Sequence, residues 1–168
     1  MKLHIRNERA EDARQIAAVT RAAFEQAEHS SHTEHFIVDA LRKAGQLTVS
    51  LVAVDQDRVV GHVAVSPVSI SSGAEGWYGL GPLSVLPGWQ ARGIGSALTQ
   101  AALAELQEQG AAGCVVLGDP AYYSRFGFIA DTGLRLPGVP QEYFQALSFC
   151  ADCPVGIVQY HRSFSVVE

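Results

Sequence analysis

PLSVLPGWQARGIGSALTQAAL, residues 82–103, decides the fold, because in this stretch an apolar strand passes through a turn into a helix. The turn begins at Pro87-Gly88, and Gly93 and Gly95 stand where the helix starts. A glycine within a helix costs about 0.5–1 kcal/mol relative to alanine. The first helical turn has N–H groups without intrahelical partners, and these groups attract anions. The two glycines therefore predict that backbone N–H groups bind a phosphate or pyrophosphate here.

Two common phosphate-binding motifs fit this loop poorly. A P-loop would need a lysine directly after its last glycine, and Ser96 follows Gly95 instead. A dinucleotide fingerprint would need a third small residue where Leu98 stands, although Asp119 follows on the next strand at a suitable distance. A nucleotide-binding protein is therefore disfavoured. A tight strand–helix turn without a ligand stays open as the other interpretation.

The composition predicts one compact domain over residues 1–168. Of the 168 residues, 48% are hydrophobic and 17% are charged. The net charge of −5 argues against a protein that follows the phosphates of nucleic acid. No run of about 18 apolar residues could cross a membrane, and the charged start MKLHIRNERAED does not resemble a signal peptide. We therefore expect a cytoplasmic protein without a nucleic-acid or membrane partner.

Hydrophobic periodicity predicts a mixed α/β fold. Alternating and β-branched runs predict strands at LHIRN, LTVSLVAVD, RVVGHVAVSPVSIS, GWYGLGPLSVL, GCVVLGD, EYFQALSF and VGIVQYHRSF. Helical spacing and end signals predict helices at ERAEDARQIAAVTRAAF, EHFIVDALRKAG, GIGSALTQAALAELQEQG and PAYYSRFGF. Between Phe128 and the last two strands the signals are weak, and Pro137 and Pro140 indicate a loop.

Two of these segments resemble a known family. QARGIG matches the Gln/Arg-x-x-Gly-x-Gly/Ala signature of the GNAT superfamily of N-acetyltransferases, and VVLGDPAYYSRFGF is similar to that family's fifth strand and fourth helix. The order of elements agrees across nearly the whole chain. The resemblance implies an acetyl-CoA-dependent N-acetyltransferase. It also implies an α/β fold with a central, mostly antiparallel, partly splayed sheet of six to seven strands and about four flanking helices.

The resemblance also implies where acetyl-CoA would bind. The backbone N–H groups of the loop would hold the pyrophosphate of CoA, and the splayed strand would pair its backbone with the pantetheine arm. The implied cofactor-binding residues are Leu83, Val85, Gln90, Arg92, Gly93, Ile94, Gly95 and Ser96.

The family's reaction needs a neutral amine that can attack the thioester and a proton donor for the departing thiolate. Tyr123 occupies the position of the family's usual general acid, which would protonate the sulfur of CoA. The general base has no fixed family position. Glu34, His32 and Glu75 are candidates, and we take Glu34 as the catalytic one. A water chain without a dedicated base remains an alternative.

These features predict direct transfer of acetyl to a primary amine of a small molecule or a protein. The other class of function is a catalytically silent acyl-CoA-binding module that senses CoA or serves as a partner domain. The presence of Tyr123 favours the enzyme. Whether the protein forms a homodimer is left open.

Two clusters contain metal-ligand residue types, but we expect no metal. HSSHTEH offers His29, His32, Glu34 and His35 at irregular spacing in a loop, where contact with the substrate is the better interpretation. CADC, Cys150 to Cys153, lacks the second cysteine pair of a zinc ribbon.

Several other side chains have a structural and a functional interpretation. Trp77, Tyr78 and Trp89 are expected to pack, with Trp89 covering part of the loop. Arg125 would either touch a phosphate of CoA or remain a solvated helix charge.

Overall fold

The structure is a computed structural model that describes residues 3–25, 27 and 30–166. The strands are β1 (Leu3–Asn7), β2 (Val49–Asp55), β3 (Arg58–Ile70), β4 (Trp77–Val85), β5 (Gly113–Leu117), β6 (Ile129–Ala130), β7 (Leu134–Arg135), β8 (Phe144–Ser148) and β9 (Gly156–Tyr160). The helices are α1 (Ala13–Phe24), α2 (Glu34–Lys43), α3 (Ile94–Glu108) and α4 (Pro120–Tyr123). Short 3₁₀ turns lie at Ala10–Asp12, Ser124–Phe126, Gln141–Tyr143 and Arg162–Ser165.

The strands form one mostly antiparallel sheet with the order β1-β2-β3-β4-β5-β8-β6, and β9 pairs with β3 and with β7. The parallel pairs are β4 with β5 and β7 with β9. The predicted mostly antiparallel sheet with four helices is confirmed. The predicted six to seven strands were too few, because the described residues form nine. The additional strands, β6 and β7, have two residues each, which is too short for an alternating pattern to be recognised.

The β2–β3 hairpin illustrates how local sequence sets the fold. Its two-residue turn is Gln56-Asp57, and both residues have positive φ angles of 47° and 67°. Such turns match the twist of the strands that they join. The hairpin predicted at these two residues is confirmed.

The chain separates into two compact units, and β3 and β4 contribute to both. The first unit comprises the described residues of Met1–Ser66, Gly81–Ala102 and Arg162–Glu168, and the second comprises Pro67–Leu80 and Leu103–His161. In the first unit, apolar residues of α1 and α2 pack on β2 and β3. These core residues are Ile16, Val19, Val38, Val52, Val54, Val59 and Ala64. In the second unit, the core residues are Ile70, Trp77, Val115, Leu134, Phe144, Ala146 and Val158. A single domain over residues 1–168 stays a prediction.

Strands β4 and β5 separate soon after they meet. Their parallel pairing joins Trp77 to Gly113, Tyr78 to Cys114 and Gly79 to Val115, and no further pair follows. Beyond this point β4 continues to Val85, whereas β5 continues in pairing with β8 alone. The sheet is therefore splayed between these two strands.

A polar network joins α2 to the first three strands. Arg42 donates to both carboxylate oxygens of Glu8 at 2.8 Å, and Ser50 Oγ donates to Glu8 Oε1 at 2.5 Å. Ser50 Oγ also lies 2.8 Å from Nε2 of His62, whose side chain is fully buried. Burial by itself would raise the pKa of Glu8. The hydrogen bonds from Arg42 and Ser50, together with the positive charge of Arg42, instead lower this pKa below its usual value.

This network fixes the tautomer of His62. The ionised Glu8 carboxylate can only accept, so the Ser50 hydroxyl donates to Glu8 and accepts from His62 Nε2–H. Nδ1 of His62 is then a lone-pair acceptor, and it has no hydrogen-bond partner. Burial lowers the pKa of His62 to about 4, so the ring is neutral in the folded protein at neutral pH.

No helix among residues 3–25, 27 and 30–166 has the length and apolar content needed to cross a membrane.

The neutral state of His62 predicts acid destabilisation. In the unfolded chain, His62 becomes protonated as the pH falls below about 6.5. In the folded chain, it becomes protonated only near its lower pKa of about 4, so the unfolded state is favoured between these pH values. The wild type should lose unfolding free energy as the pH falls from about 7 to 4.5. In His62→Gln we expect this loss to be smaller by about 2 kcal/mol. Denaturant titrations at both pH values measure this difference.

The control is His4→Gln, because His4 is exposed on β1. It should leave the pH dependence as in the wild type. An unchanged pH dependence in His62→Gln would show that His62 is not buried in its neutral form.

Candidate active site

The loop between β4 and α3 has an unusual backbone that is fully within the first unit. Trp89 N–H donates to the Leu86 carbonyl at 2.9 Å, which closes the first turn. Ala91 and Gly93 then adopt left-handed conformations with φ of 63° and 81°. Glycine adopts such angles without steric cost, whereas a side chain at Gly93 would be strained. The residue type at Gly93 is therefore set by the path of the backbone.

This path leaves the start of α3 open. The first intrahelical bond runs from Ala97 N–H to the Gly93 carbonyl at 3.0 Å, so the N–H groups of Ile94 and Gly95 have no intrahelical acceptor. A Cβ atom at Gly93 would have no heavy atom within 4 Å. The space over this turn is thus accessible to a ligand. The first N–H groups of a helix, beside open space at Gly93, fit a bound pyrophosphate.

Two long side chains of the loop hold its shape. Gln90 Nε2 donates to the Val85 carbonyl at 3.1 Å and so joins the loop to the end of β4. The Arg92 guanidinium lies 5.0 Å from the centre of the Trp89 ring, within the range of a cation–π interaction. Trp89 therefore packs on the loop, and Arg92 remains exposed beside it.

Tyr123 lies in the second unit at the last residue of α4. Asp119 caps this helix by accepting from Ala121 N–H at 2.9 Å. The Tyr123 ring packs on Gly118, where a Cβ atom would lie only 2.6 Å from its Cε2. It also meets the Phe128 ring edge to face, with 5.9 Å between the ring centres. The ring is thus fixed on the strand–helix connection that follows β5.

The environment keeps the Tyr123 hydroxyl protonated. Burial, followed by the neighbouring Tyr122 and Cys114, raises its pKa to about 12. At neutral pH this group is therefore a hydrogen-bond donor. The side chain is nevertheless only half-buried, so the ring keeps accessible surface.

Tyr122 and Arg125 pair with each other. The Arg125 guanidinium lies 4.8 Å from the centre of the Tyr122 ring, and the Tyr122 and Tyr123 rings are perpendicular. The two tyrosines therefore present different faces, as expected for neighbours in a helix. Arg125 is exposed, which agrees with a solvated helix charge.

A cavity of about 300 Å³ lies between the end of α1 and the start of α2 in the first unit. It combines aromatic and charged side chains, namely Arg21, Phe24, Glu25, His32, Glu34, His35 and Phe36. The predicted substrate-facing loop includes His32, Glu34 and His35, whereas the aromatic residues Phe24 and Phe36 were not predicted to lie there. Their only signal was an aromatic residue close to each end of the predicted loop.

Glu34 is the first residue of α2 and is held in this cavity. The Ser30 hydroxyl lies 2.8 and 2.7 Å from its two carboxylate oxygens. Burial, then the positive charge of Arg21, lowers the pKa of His35, so this ring is neutral at neutral pH. Glu75 is exposed in the connection between β3 and β4 and does not line the cavity. Glu34 and Tyr123 belong to different units.

The structure contains no cluster of three or more His, Cys, Asp or Glu residues suited to a metal within the ranges that it describes. His29 lies outside the described residues. Cys150 is exposed, Cys153 is partly buried, and both are free thiols. Ser148 organises the CADC turn by bonding to the carbonyls of Cys150 and Asp152 at 3.0 and 3.1 Å.

A comparison with protein families identifies the fold. A model described as an acetyltransferase (GNAT) domain matches residues 46–130, which contain the loop, α3 and Tyr123. The chain belongs to the GNAT family of acetyltransferases. Membership makes it an acyltransferase and confirms the family predicted from QARGIG.

Individual relatives agree with this GNAT assignment. The uncharacterized N-acetyltransferase YhbS of Escherichia coli K12 is 38% identical over 162 residues, covering 92% of this chain and 93% of YhbS. The crystal structure of YhbS in complex with CoA is similar, with a TM-score of 0.89 at 36% identity over 100% of this chain and 94% of YhbS. A GNAT family acetyltransferase from Brucella melitensis, in complex with acetyl-CoA, has a TM-score of 0.88 at 50% identity. The match covers 97% of this chain and 98% of the Brucella protein.

Proposed function

We propose that this GNAT protein transfers the acetyl group of acetyl-CoA to a primary amine, directly and within a ternary complex. The observation that carries the proposal is the left-handed turn at Gly93, which has open space beside it and leads directly into the first turn of α3, where a helix attracts anions. The similar Brucella melitensis protein binds acetyl-CoA, and YhbS binds CoA. Both findings support acetyl-CoA as the acyl donor.

The loop and β4 bind different parts of CoA. The backbone N–H groups of Arg92 to Ser96 hold the pyrophosphate, and Arg92 adds a positive charge beside them. The backbone of Leu83 and Val85 pairs with the pantetheine arm along the part of β4 that has no β5 partner. Because Gln90 occupies the Val85 carbonyl, we assign the Val85 N–H as the donor to this arm.

Tyr123 acts as the general acid. A bond forms between the amine nitrogen and the acetyl carbon, the carbon–sulfur bond breaks, and the phenolic proton passes to the departing thiolate. The proton that the acylated nitrogen then loses restores the phenol, directly or through water. An alkyl thiol has a pKa of about 8.5, so its thiolate leaves readily and protonation accelerates rather than permits the reaction. The raised pKa of Tyr123 keeps the proton available at neutral pH.

The cavity at the start of α2 receives the amine. Apart from its two histidines, the cavity has two negative charges, from Glu25 and Glu34, against one positive charge from Arg21. A cationic amine therefore enters an environment of opposite sign, and Phe24 and Phe36 contribute apolar walls. The volume of about 300 Å³ suits a small amine or one side chain.

Glu34 takes the proton that the amine must lose before attack. Its carboxylate keeps free lone pairs, because Ser30 supplies only one donor and a carboxylate offers about four acceptor positions. Glu75 and His32 are weaker candidates, since both are exposed.

The first prediction tests the pyrophosphate loop. Gly93→Ala should raise the acetyl-CoA Kd by at least tenfold, or about 1.4 kcal/mol, because the strained turn would displace the N–H groups. The matched control is Gly110→Ala: Gly110 has φ of 82° against 81° for Gly93, and neither residue has an atom near its missing Cβ. The two substitutions should therefore cause similar backbone strain, but Gly110 lies beyond the C-terminal end of α3 and outside the loop. Calorimetry that finds equal affinities in the two variants would contradict the loop assignment.

The second prediction concerns the acid. Tyr123→Phe should lower kcat by roughly 10²–10⁴, the usual effect of a positioned acid. The acetyl-CoA Kd should barely change, because the ring remains. Tyr122→Phe is the control and should lower kcat much less. Thiol release from acetyl-CoA with a panel of amines measures kcat, and wild-type turnover in Tyr123→Phe would remove Tyr123 from the mechanism.

The third prediction concerns the base. Glu34→Gln should lower kcat/KM for the amine by about 10²-fold while leaving the acetyl-CoA Kd unchanged. Its activity should recover at high pH, where the amine is neutral without help. Glu75→Gln should behave as the wild type. If Glu34→Gln also retains wild-type rates at neutral pH, a water chain performs the deprotonation.

A further inference from the structure

Three buried side chains of the first unit contain a polar atom without a hydrogen-bond partner in the part of the chain that the structure describes. They are His62 and Ser66 on β3 and Ser84 on β4, and each is at most 1% exposed. A buried polar group without a partner is costly, and most such groups in folded proteins are paired. The register of the two strands decides which of these three groups can pair with each other.

The register between β3 and β4 places Ser84 opposite His62. A short connection joins β3 to its neighbour β4, so the two strands run antiparallel. Leu86 N–H donates to the Val60 carbonyl at 2.9 Å, and in an antiparallel pair the residues two positions further along each strand are again opposite each other. The Ser84 carbonyl oxygen accordingly lies 3.3 Å from the position that a Cβ atom at Gly61 would take. Side chains opposite each other share one face, with Cβ atoms about 4.5–5.5 Å apart.

The imidazole ring of His62 turns its unpaired nitrogen towards β4. Nε2 lies 2.8 Å from Ser50 Oγ on β2, and the two nitrogens of an imidazole point to nearly opposite sides of the ring. In the sheet, β2 and β4 lie on opposite sides of β3. The face is the one covered by α1 and α2, because Ala64 and Leu86, each two residues further along, pack in that core. Nδ1 is an acceptor in the tautomer described above, and the Ser84 hydroxyl on the adjacent strand is a donor.

We propose that the Ser84 hydroxyl donates a hydrogen bond to Nδ1 of His62 and thereby positions the segment of β4 that binds pantetheine. The inference rests on the proposed function, in which the backbone of Leu83 and Val85 pairs with this arm. A serine side chain takes staggered χ1 positions, and the one that turns Oγ towards β3 makes the bond.

Ser84 lies between the two residues proposed to bind pantetheine. Because it is opposite His62 in the hydrogen-bonded register, its own backbone N–H and C=O groups face β3. The backbone groups of Leu83 and Val85 therefore face the other edge of β4. The bond to His62 fixes the middle residue of this segment to a ring that is itself bonded to β2. It limits the rotation of the peptide groups on either side, which makes Ser84 and His62 positioning residues.

The first test measures acetyl-CoA affinity by calorimetry and turnover with one amine substrate. Ser84→Ala should raise the Kd and the KM of acetyl-CoA by roughly three- to tenfold, the size of one lost hydrogen bond. The kcat should stay near the wild-type value, because Ser84 does not touch the reacting atoms.

The matched control is Ser66→Ala. Ser66 is 0% exposed, and its Oγ likewise has no partner among the described residues. It lies on β3, outside the pantetheine segment, so Ser66→Ala should leave the Kd and the KM at their wild-type values. Equal changes in the two variants would be a general effect of losing a buried hydroxyl and overturn the positioning role.

A second readout tests the bond itself and needs no ligand. In nitrogen NMR of isotope-labelled histidine, the Nδ1 signal of His62 should move downfield in Ser84→Ala, because the acceptor nitrogen loses its hydrogen bond. It should not move in Ser66→Ala. An unmoved signal in Ser84→Ala overturns the inference.

A double-mutant cycle connects the bond to affinity. His62→Gln removes Nδ1, so in this background Ser84→Ala should have no further effect on the acetyl-CoA Kd. An effect as large as in the wild-type background overturns the inference. If circular dichroism shows that His62→Gln is unfolded, the Nδ1 signal in Ser84→Ala decides.

Failure of the proposed function gives a different result. A wild-type protein that binds no acetyl-CoA overturns both the proposed function and this inference. A wild type that binds and turns over acetyl-CoA, with a Kd that Ser84→Ala leaves unchanged, overturns the role of Ser84 alone.

Discussion

The early end of the pairing between β4 and β5 is the constraint on which the arrangement of the candidate groups depends. After Gly79 and Val115, β4 continues through six further residues without β5 beside it. A strand edge without a paired neighbour leaves N–H and C=O groups that another chain or a ligand can bind. In the proposed function this edge binds the extended pantetheine arm. The loop that follows then begins at the end of the same strand.

Backbone conformation rather than side-chain chemistry defines the anion-binding part of the candidate site. The left-handed residues Ala91 and Gly93 turn the chain into the first turn of α3. Ile94 and Leu98 are buried and anchor that end of the helix. The open turn is therefore held by a packed helix, which reduces the rearrangement that ligand binding requires.

Burial is used differently in the polar groups of the two units. In the first unit, Glu8 is ionised because Arg42 and Ser50 hydrogen-bond to it, and His62 is neutral. In the second unit, burial raises the pKa of both Tyr123 and Tyr160. The first arrangement connects a helix to the sheet, whereas the second keeps phenolic protons in place near neutral pH. Burial thus disfavours the charged form in both units, and only at Glu8 do hydrogen bonds and the charge of Arg42 overcome it.

The sequence by itself determined the features that depend on neighbouring residues. The turn at Gln56-Asp57, the helix start at Gly93 and Gly95, and the capped helix that carries Tyr123 are local, because φ angles and helix ends respond to a few adjacent side chains. The order of these elements, together with QARGIG, was sufficient to recognise the GNAT fold. The short strands β6 and β7 were missed because two residues carry no periodic signal.

Only the tertiary structure decided which distant residues meet. Glu8, Arg42, Ser50 and His62 form one network from four separate segments of the chain, and no spacing in the sequence connects them. The same is true of Phe24 with Phe36 in the cavity, and of Tyr160 over Gly79. Such contacts depend on strand register and helix packing, which are set by burial summed over the whole core rather than by any local pattern. The sequence therefore determined the family and the loop, and the fold decided the surroundings of Tyr123, the cavity at the start of α2 and the ring beside Gly79.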